Sequence, residues 1–212
     1  PDGVRRFVYS GSPGVGMIKD RLPVAMQGFA ALHEQGVAFE FVVAGMTRDQ
    51  YLSLRPDHAA MLSGMGDVVQ FLGRISHTDS LELIRRADFS VFFRDRNRVS
   101  QTGFATKYVE AATLGIPVIS NATSDIPLYL HDGINGFLAP GLSRPEIATT
   151  LERAARLDDS ALLVMKQTCA DSSPFDVPCW QELRRGFYGS STLFCRPSRK
   201  TWGRRKLRLA VG

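Results

Sequence analysis

Cysteine is scarce in this chain. Cys169, Cys179 and Cys195 are the only three in 212 residues, all of them late and none in a CxxC spacing. An odd, unspaced set fits free thiols in a reducing compartment and excludes a disulfide framework. Histidine is sparse too: His33, His58, His77 and His131 lie apart, with no HExxH and no pair at i, i+4. A zinc site therefore finds no ligand set. No apolar run approaches the roughly 20 residues of a membrane span. The chain opens Pro1-Asp2-Gly3-Val4-Arg5-Arg6 without an initiator Met, and we expect no signal peptide in it. We expect a domain excised from a longer protein. Acidic residues are missing altogether from Arg184 onward, where nine of the 26 basic residues fall. Residues 1–183 thus carry 17 basic against 21 acidic residues, a net charge of −4. A mildly acidic body argues against a nucleic-acid-binding core.

Several catalytic signatures are also missing. There is no G-x-S-x-G elbow for an acyl-transferring serine. There is no Asp-x-Asp pair to hold a divalent cation on a diphosphate. The Gly-rich stretch Gly11-Ser-Pro-Gly14-Val-Gly16-Met17-Ile-Lys19 fails as a Walker A loop, because Met17 stands where a Lys should follow Gly16. It fails as a dinucleotide fingerprint because Lys19 replaces the small residue needed for close packing.

What the chain does have is regular alternation of strand and helix. Strands are expected at Arg6–Ser10, Phe39–Gly45, Val68–Leu72, Asp88–Phe93, Pro117–Asn121 and Gly136–Ala139. Helical periodicity runs from Asp20 to Gln35, more weakly from Thr47 to Leu62 with a break near Pro56, and from His77 to Ala87. A polar loop, Arg94 to Gln101, leads to a short helix carrying Glu110. Helices at Arg144–Leu157, Ser160–Ala170 and Pro178–Tyr188 follow. The pattern means βαβ units: an α/β, Rossmann-like parallel sheet of about six strands with helices on both faces. One domain spans 1–188. Residues 189–212 form a basic tail in which periodicity fails, with little structure expected.

Ligands in such sheets bind at the carboxyl ends of the strands. The run Thr102-Gly-Phe-Ala-Thr-Lys-Tyr-Val-Glu110 opens a helix there. Helix N-termini carry unpartnered N–H groups and favour anions, so phosphate suits this position. Glu110, further along the helix, suits a pair of ribose hydroxyls. Lys19 and Lys107 both stand at helix starts, against the dipole: an anionic ligand would compensate Lys19, which is otherwise a surface lysine in an exposed turn, and Lys107 faces either a phosphate or water. Arg94, Arg96 and Arg98 follow a buried strand, where a substrate would lie.

Gly103-Phe-Ala-Thr-Lys-Tyr-Val-Glu110-Ala-Ala-Thr-Leu-Gly115-Ile-Pro117-Val-Ile resembles the donor-site signature of retaining GT-B glycosyltransferases of family 4 (group 1). Three further stretches agree in order: Phe7–Gly11 with Lys19, Val69–Ile75, and Asp132-Gly133-Ile-Asn135-Gly136-Phe137-Leu138. The resemblance covers about residues 4–188 and implies the C-terminal, donor-binding half of the fold. It implies that Lys19 meets the diphosphate and Glu110 the ribose, these two being the catalytic candidates. Gly11, Ser12, Arg94, Thr102, Gly103, Phe104, Ala105, Thr106 and Lys107 would surround the phosphates and sugar. Gly73, Arg74 and Ile75 would frame the base. It departs from the family at Ser12, where an Arg is usual, and at Thr102, where many members have a second Glu. Arg94 is the candidate replacement for the missing positive charge.

The implied reaction is metal-independent transfer of a sugar, with retention, from a nucleotide-sugar that is substrate and not cofactor. Cytoplasmic polysaccharide or glycoconjugate synthesis is the expected setting. The acceptor domain would be missing and the isolated chain inactive. The basic tail fits an anionic inner-membrane surface, and no specific nucleic acid is expected. The alternatives are a non-catalytic nucleotide-binding module, a sugar-nucleotide epimerase, a nucleic-acid-associated protein acting through the tail, and a non-native tail.

Overall fold

The computed structural model describes residues 3–14, 16, 19–172 and 175. Expectations for the Pro178–Tyr188 helix, the boundary at 188 and the basic tail fall outside these residues. The described residues belong to one compact unit. Its sheet has six strands: β1 (Arg5–Ser10), β2 (Phe39–Ala44), β3 (Val69–Gly73), β4 (Phe89–Val91), β5 (Val118–Asn121) and β6 (Gly136–Ala139). Every pairing is parallel, in the order β3-β2-β1-β4-β5-β6. Register runs from Arg5 opposite Phe39 to Ser10 opposite Ala44, and Phe7 sits opposite Phe89.

Between the strands lie α1 (Leu22–Glu34), α2 (Arg48–Leu54), α3 (Ala59–Met65), α4 (His77–Arg86), α5 (Arg98–Thr102) and α6 (Thr106–Thr113). After β6 come α7 (Arg144–Ala155) and α8 (Asp159–Ser172). Helix α1 packs on α3 and α7, and α6 packs on α4 and α8, giving two helical layers around the sheet. Phe7, Phe29, Phe41 and Phe89 fill the core between β1, β2, β4 and α1. The Phe29 and Phe41 rings stack with centroids 4.1 Å apart, and Phe7 stacks on Phe89 at 5.7 Å. Aromatic pairs at these distances add to the burial of their large apolar area.

Local chemistry explains most boundaries. Pro23 enters α1 in its first turn, where no N–H is needed, and Gly36 follows the helix at φ +71°. Ser76 caps α4 by accepting from the Asp79 N–H, and Ser143 with Glu146 forms a reciprocal box on α7. The helix expected over Thr47–Leu62 is split: α2 ends at Leu54, a 3₁₀ turn starts at Pro56, and α3 continues to Met65. Pro56 removes a donor and restricts Arg55, so one continuous helix cannot form.

Two expectations need correction. The strand expected over Asp88–Phe93 is only Phe89–Val91. The Phe92 N–H still reaches the Ile119 carbonyl, but beyond it the Asn121 side chain replaces the ladder. Secondly, the stretch Arg94–Gln101 is not all loop. Asn97 and Ser100 form a capping box that starts α5.

Candidate functional site

The strand order reverses direction between β1 and β4. From β1 the chain moves outward to β2 and β3, and from β4 outward to β5 and β6. Their carboxyl-end loops therefore part and leave a crevice. A cleft of about 240 Å³ occupies this place. Lys19, before α1, forms one wall; Arg94, Asn97 and Ser100, after β4, form another. Gly103, Phe104 and Thr106 complete it at the start of α6.

Helix α6 opens on this cleft without a side-chain cap, since its N-cap is Ala105. No acidic residue stands in its first turn. Its leading N–H groups and dipole are thus left for an anion. Further along, Glu110 is half-buried and forms no hydrogen bond or ion pair with another described side chain.

Beneath the cleft lies a charged cluster. Asp20 is fully buried. It accepts from Arg94 Nε at 2.9 Å and from the Tyr9 hydroxyl at 2.9 Å, and pairs with Lys107 Nζ at 2.8 Å. Burial alone would raise the Asp20 carboxyl, but Lys107 and Arg94 outweigh it and hold it below its ordinary range. Burial pulls the Lys107 ammonium down, against the upward pull of Asp20. Burial, then Asp20, pushes the Tyr9 hydroxyl well up, so Tyr9 stays a neutral donor. Lys107 also lies over the Tyr9 ring, 5.2 Å from its centroid.

The rest of the crevice is tied across. Asn121, at the end of β5, accepts from the Arg94 N–H at 2.9 Å and donates to the Arg94 carbonyl at 2.8 Å. The Arg21 N–H donates to the Phe93 carbonyl, and its guanidinium meets Asp95 at 2.7 Å. Gly11 has φ +117°, and a Cβ there would lie 2.9 Å from Lys107 Nζ. Only glycine lets the backbone pass the buried ammonium.

A match to the family model of group 1 glycosyl transferases covers residues 5–156. The chain belongs to this family. No curated protein matches it. Among solved structures, the C-terminal domain of the group 1 glycosyl transferase LpcC from Francisella tularensis is 18% identical, with a TM-score of 0.59. That match covers 79% of this chain and 83% of the LpcC domain. WaaG, a glycosyltransferase involved in lipopolysaccharide biosynthesis, matches over 90% of this chain at 17% identity and a TM-score of 0.63. Anabaena HepE, solved with UDP and glucose, matches over 85% at 19% identity and a TM-score of 0.61. This chain spans 48% of WaaG and 48% of HepE. The likeness is one of fold: this glycosyl transferase domain has the Rossmann-like architecture of the C-terminal half of GT-B enzymes.

Within the group 1 domain the expected residues separate into three sets. Lys19, Arg94, Gly103, Phe104 and Thr106 share the cleft. Ala105 and Lys107 are buried next to it, and Thr102 ends α5 just before it. Gly73, Arg74 and Ile75 stand at the end of β3, two strands from β1, on the same rim but outside the cleft lining. Exposed Ser12 also lies outside that lining, and its hydroxyl accepts from the Gly14 N–H. Lys107 faces Asp20 and not water, because the first turn of α6 turns it inward.

Asp20, Tyr9 and Asn121 were not anticipated. An Asp at a helix start reads as a cap, yet this one meets side chains far along the chain. The available signal was indirect. Arg94 follows an apolar strand and Lys107 adjoins apolar helix positions, so both cations required a buried anion.

Proposed function

We propose that this domain binds the nucleoside-diphosphate end of a sugar donor and is the donor half of a retaining glycosyltransferase. The observation that carries the reading is one cleft at the strand-order reversal that gathers Lys19, Arg94 and the uncapped start of α6. Two cations and a row of N–H groups suit a diphosphate. They would stabilise the charge that grows on it as the bond to the sugar breaks, without a divalent ion. Glu110, without a side-chain partner among the described residues, would accept from two ribose hydroxyls. Gly73, Arg74 and Ile75 would border the base farther along the rim. HepE, solved with UDP and glucose, supports a nucleotide of this kind.

The sugar would pass to an acceptor held by a second domain, with retention at the transferred carbon. WaaG's role in lipopolysaccharide biosynthesis supports a glycoconjugate or polysaccharide acceptor, made at the cytoplasmic side of a membrane. Among the described residues no helix is long and apolar enough to cross a membrane.

Calorimetric titration with UDP, GDP and ADP tests the reading. One of the three should bind, and Glu110→Ala should weaken it roughly tenfold or more, as expected on losing charge-assisted bonds. Equal binding by wild type and Glu110→Ala would remove Glu110 from the site, and no binding by any nucleotide would overturn the donor reading.

A further inference from the structure

Asp20 brings together three groups that neither the fold nor the proposed chemistry requires to meet. Its carboxylate takes Arg94 Nε at 2.9 Å, Lys107 Nζ at 2.8 Å and the Tyr9 hydroxyl at 2.9 Å, in complete burial. Two cations against one anion leave the cluster with a net charge of +1. Arg94 uses Nε on Asp20 and forms no hydrogen bond through its two terminal nitrogens with any described residue. Arg94 also lines the cleft. A guanidinium anchored through Nε keeps a planar pair of donors, which suits a phosphate held by two bonds. Asn121 fixes the Arg94 backbone from the other side, so the arginine is held at both ends.

We propose that Asp20 is a resident counter-anion of the cleft: it positions Arg94 and Lys107 and sets how much positive charge a bound diphosphate meets. The proposal rests on the reading of the cleft as an anion site. The charge count makes it specific. Replacing the carboxylate with its neutral isostere leaves two buried cations facing each other, which destabilises the domain and strengthens its hold on any anion that reaches them. Removing Lys107 instead leaves Asp20 matched to Arg94 alone, with no net charge for the ligand. The two substitutions therefore move anion affinity in opposite directions. A merely structural cluster would lower stability in both and shift affinity in neither.

The test uses the 212-residue chain with inorganic pyrophosphate as the probe, followed by calorimetry and by thermal unfolding. Asp20→Asn should melt lower than wild type without pyrophosphate and bind it about tenfold more tightly, the worth of one charge-assisted hydrogen bond. It should also gain more in melting temperature at saturating pyrophosphate than wild type does, because ligand that binds only the folded state stabilises it by an amount that rises with the logarithm of affinity. Lys107→Met should bind pyrophosphate about tenfold more weakly, and this arm decides the matter where Asp20→Asn does not fold. Unchanged affinity in Lys107→Met, or in a folded Asp20→Asn, overturns the proposal, as does absence of pyrophosphate binding to every form. Opposite shifts with pyrophosphate but no binding of UDP, GDP or ADP would keep the counter-anion and remove the nucleotide. Nucleotide binding that Glu110→Ala abolishes, with pyrophosphate affinity indifferent to residues 20 and 107, would do the reverse.

Discussion

A single buried histidine illustrates what one side chain does to this domain. His58 closes the 3₁₀ turn between α2 and α3 and is only 4% exposed. Its Nε2 faces two donors, Arg55 Nη2 at 2.8 Å and Gln27 Nε2 at 3.4 Å, so this nitrogen accepts. The proton then sits on Nδ1, which donates to the Tyr51 hydroxyl at 2.7 Å. Charging the ring would set a second proton against the Arg55 guanidinium. Burial first, and Arg55 second, hold the imidazole below its ordinary value, while Asp57 opposes them. A lowered value means that the unfolded chain takes up the proton before the folded one. Stability is therefore full above the unfolded value, near 6.5, and falls as pH drops toward the folded value. We expect wild type to lose more stability between pH 7 and pH 5 than His58→Gln, which has no proton to gain. Each tenfold loss in proton affinity corresponds to about 1.4 kcal/mol. Denaturant midpoints at the two pH values measure it, and parallel losses in both proteins would show that His58 is not the group responsible.

At the scale of elements, the approach of α1 to α7 is a sharp constraint. Gly28 stands inside α1, where glycine costs roughly 1 kcal/mol in helix propensity against alanine. Its presence is explained across the interface. A Cβ at Gly28 would lie 2.5 Å from Ile147 Cγ2 and 2.9 Å from Leu151 Cδ1. Ile147 and Leu151 are both fully buried, so α7 has nowhere to retreat. Overpacking of this kind costs about 1–3 kcal/mol and outweighs the gain in propensity. Gly28→Ala is therefore expected to lower the denaturant midpoint, and a variant as stable as wild type or more so would show that the two helices can separate. The same scale shows what could be read from sequence. β2, β5 and β6 were legible to within a residue, because apolar runs bounded by Gly and Pro leave little choice. Helix α5 was not, since Arg98-Val-Ser-Gln-Thr102 has no apolar period and starts from the Asn97–Ser100 box. The cleft was legible in Lys19, Arg94, Gly103 and Thr106, all of which follow strands or open helices in chain order. Asp20 was not, because its partners are set by the fold and not by neighbours in the chain.

At the scale of the whole molecule, the proposed donor reading leaves the acceptor unaccounted for. On the proposed reading the cleft would take the donor's phosphates, and Glu110 its ribose. Transfer needs a second reactant: an acceptor oxygen held about 3–3.5 Å from the sugar carbon, on the face that the diphosphate leaves if configuration is to be retained. That geometry requires a surface facing the carboxyl ends of β1 and β4, and on the proposed reading the segment from Arg94 to Glu110 would be taken up by the donor. WaaG and HepE, which share this fold, are about twice as long as the stretch they share with it. Binding and turnover should therefore come apart. The 212-residue chain is expected to bind its nucleotide and to release no detectable product from a radiolabelled nucleotide-sugar, with or without candidate acceptors. Adding a separately expressed acceptor half from a group 1 enzyme should produce transfer that depends on Lys19, and Lys19→Ala should abolish it while leaving the two halves associated. Lys19 is the group to choose because it is exposed at the cleft wall and its loss disturbs no buried pair. Transfer by the chain alone would mean that the acceptor site lies within these residues, and the donor-half reading would give way to a complete enzyme of half the usual size.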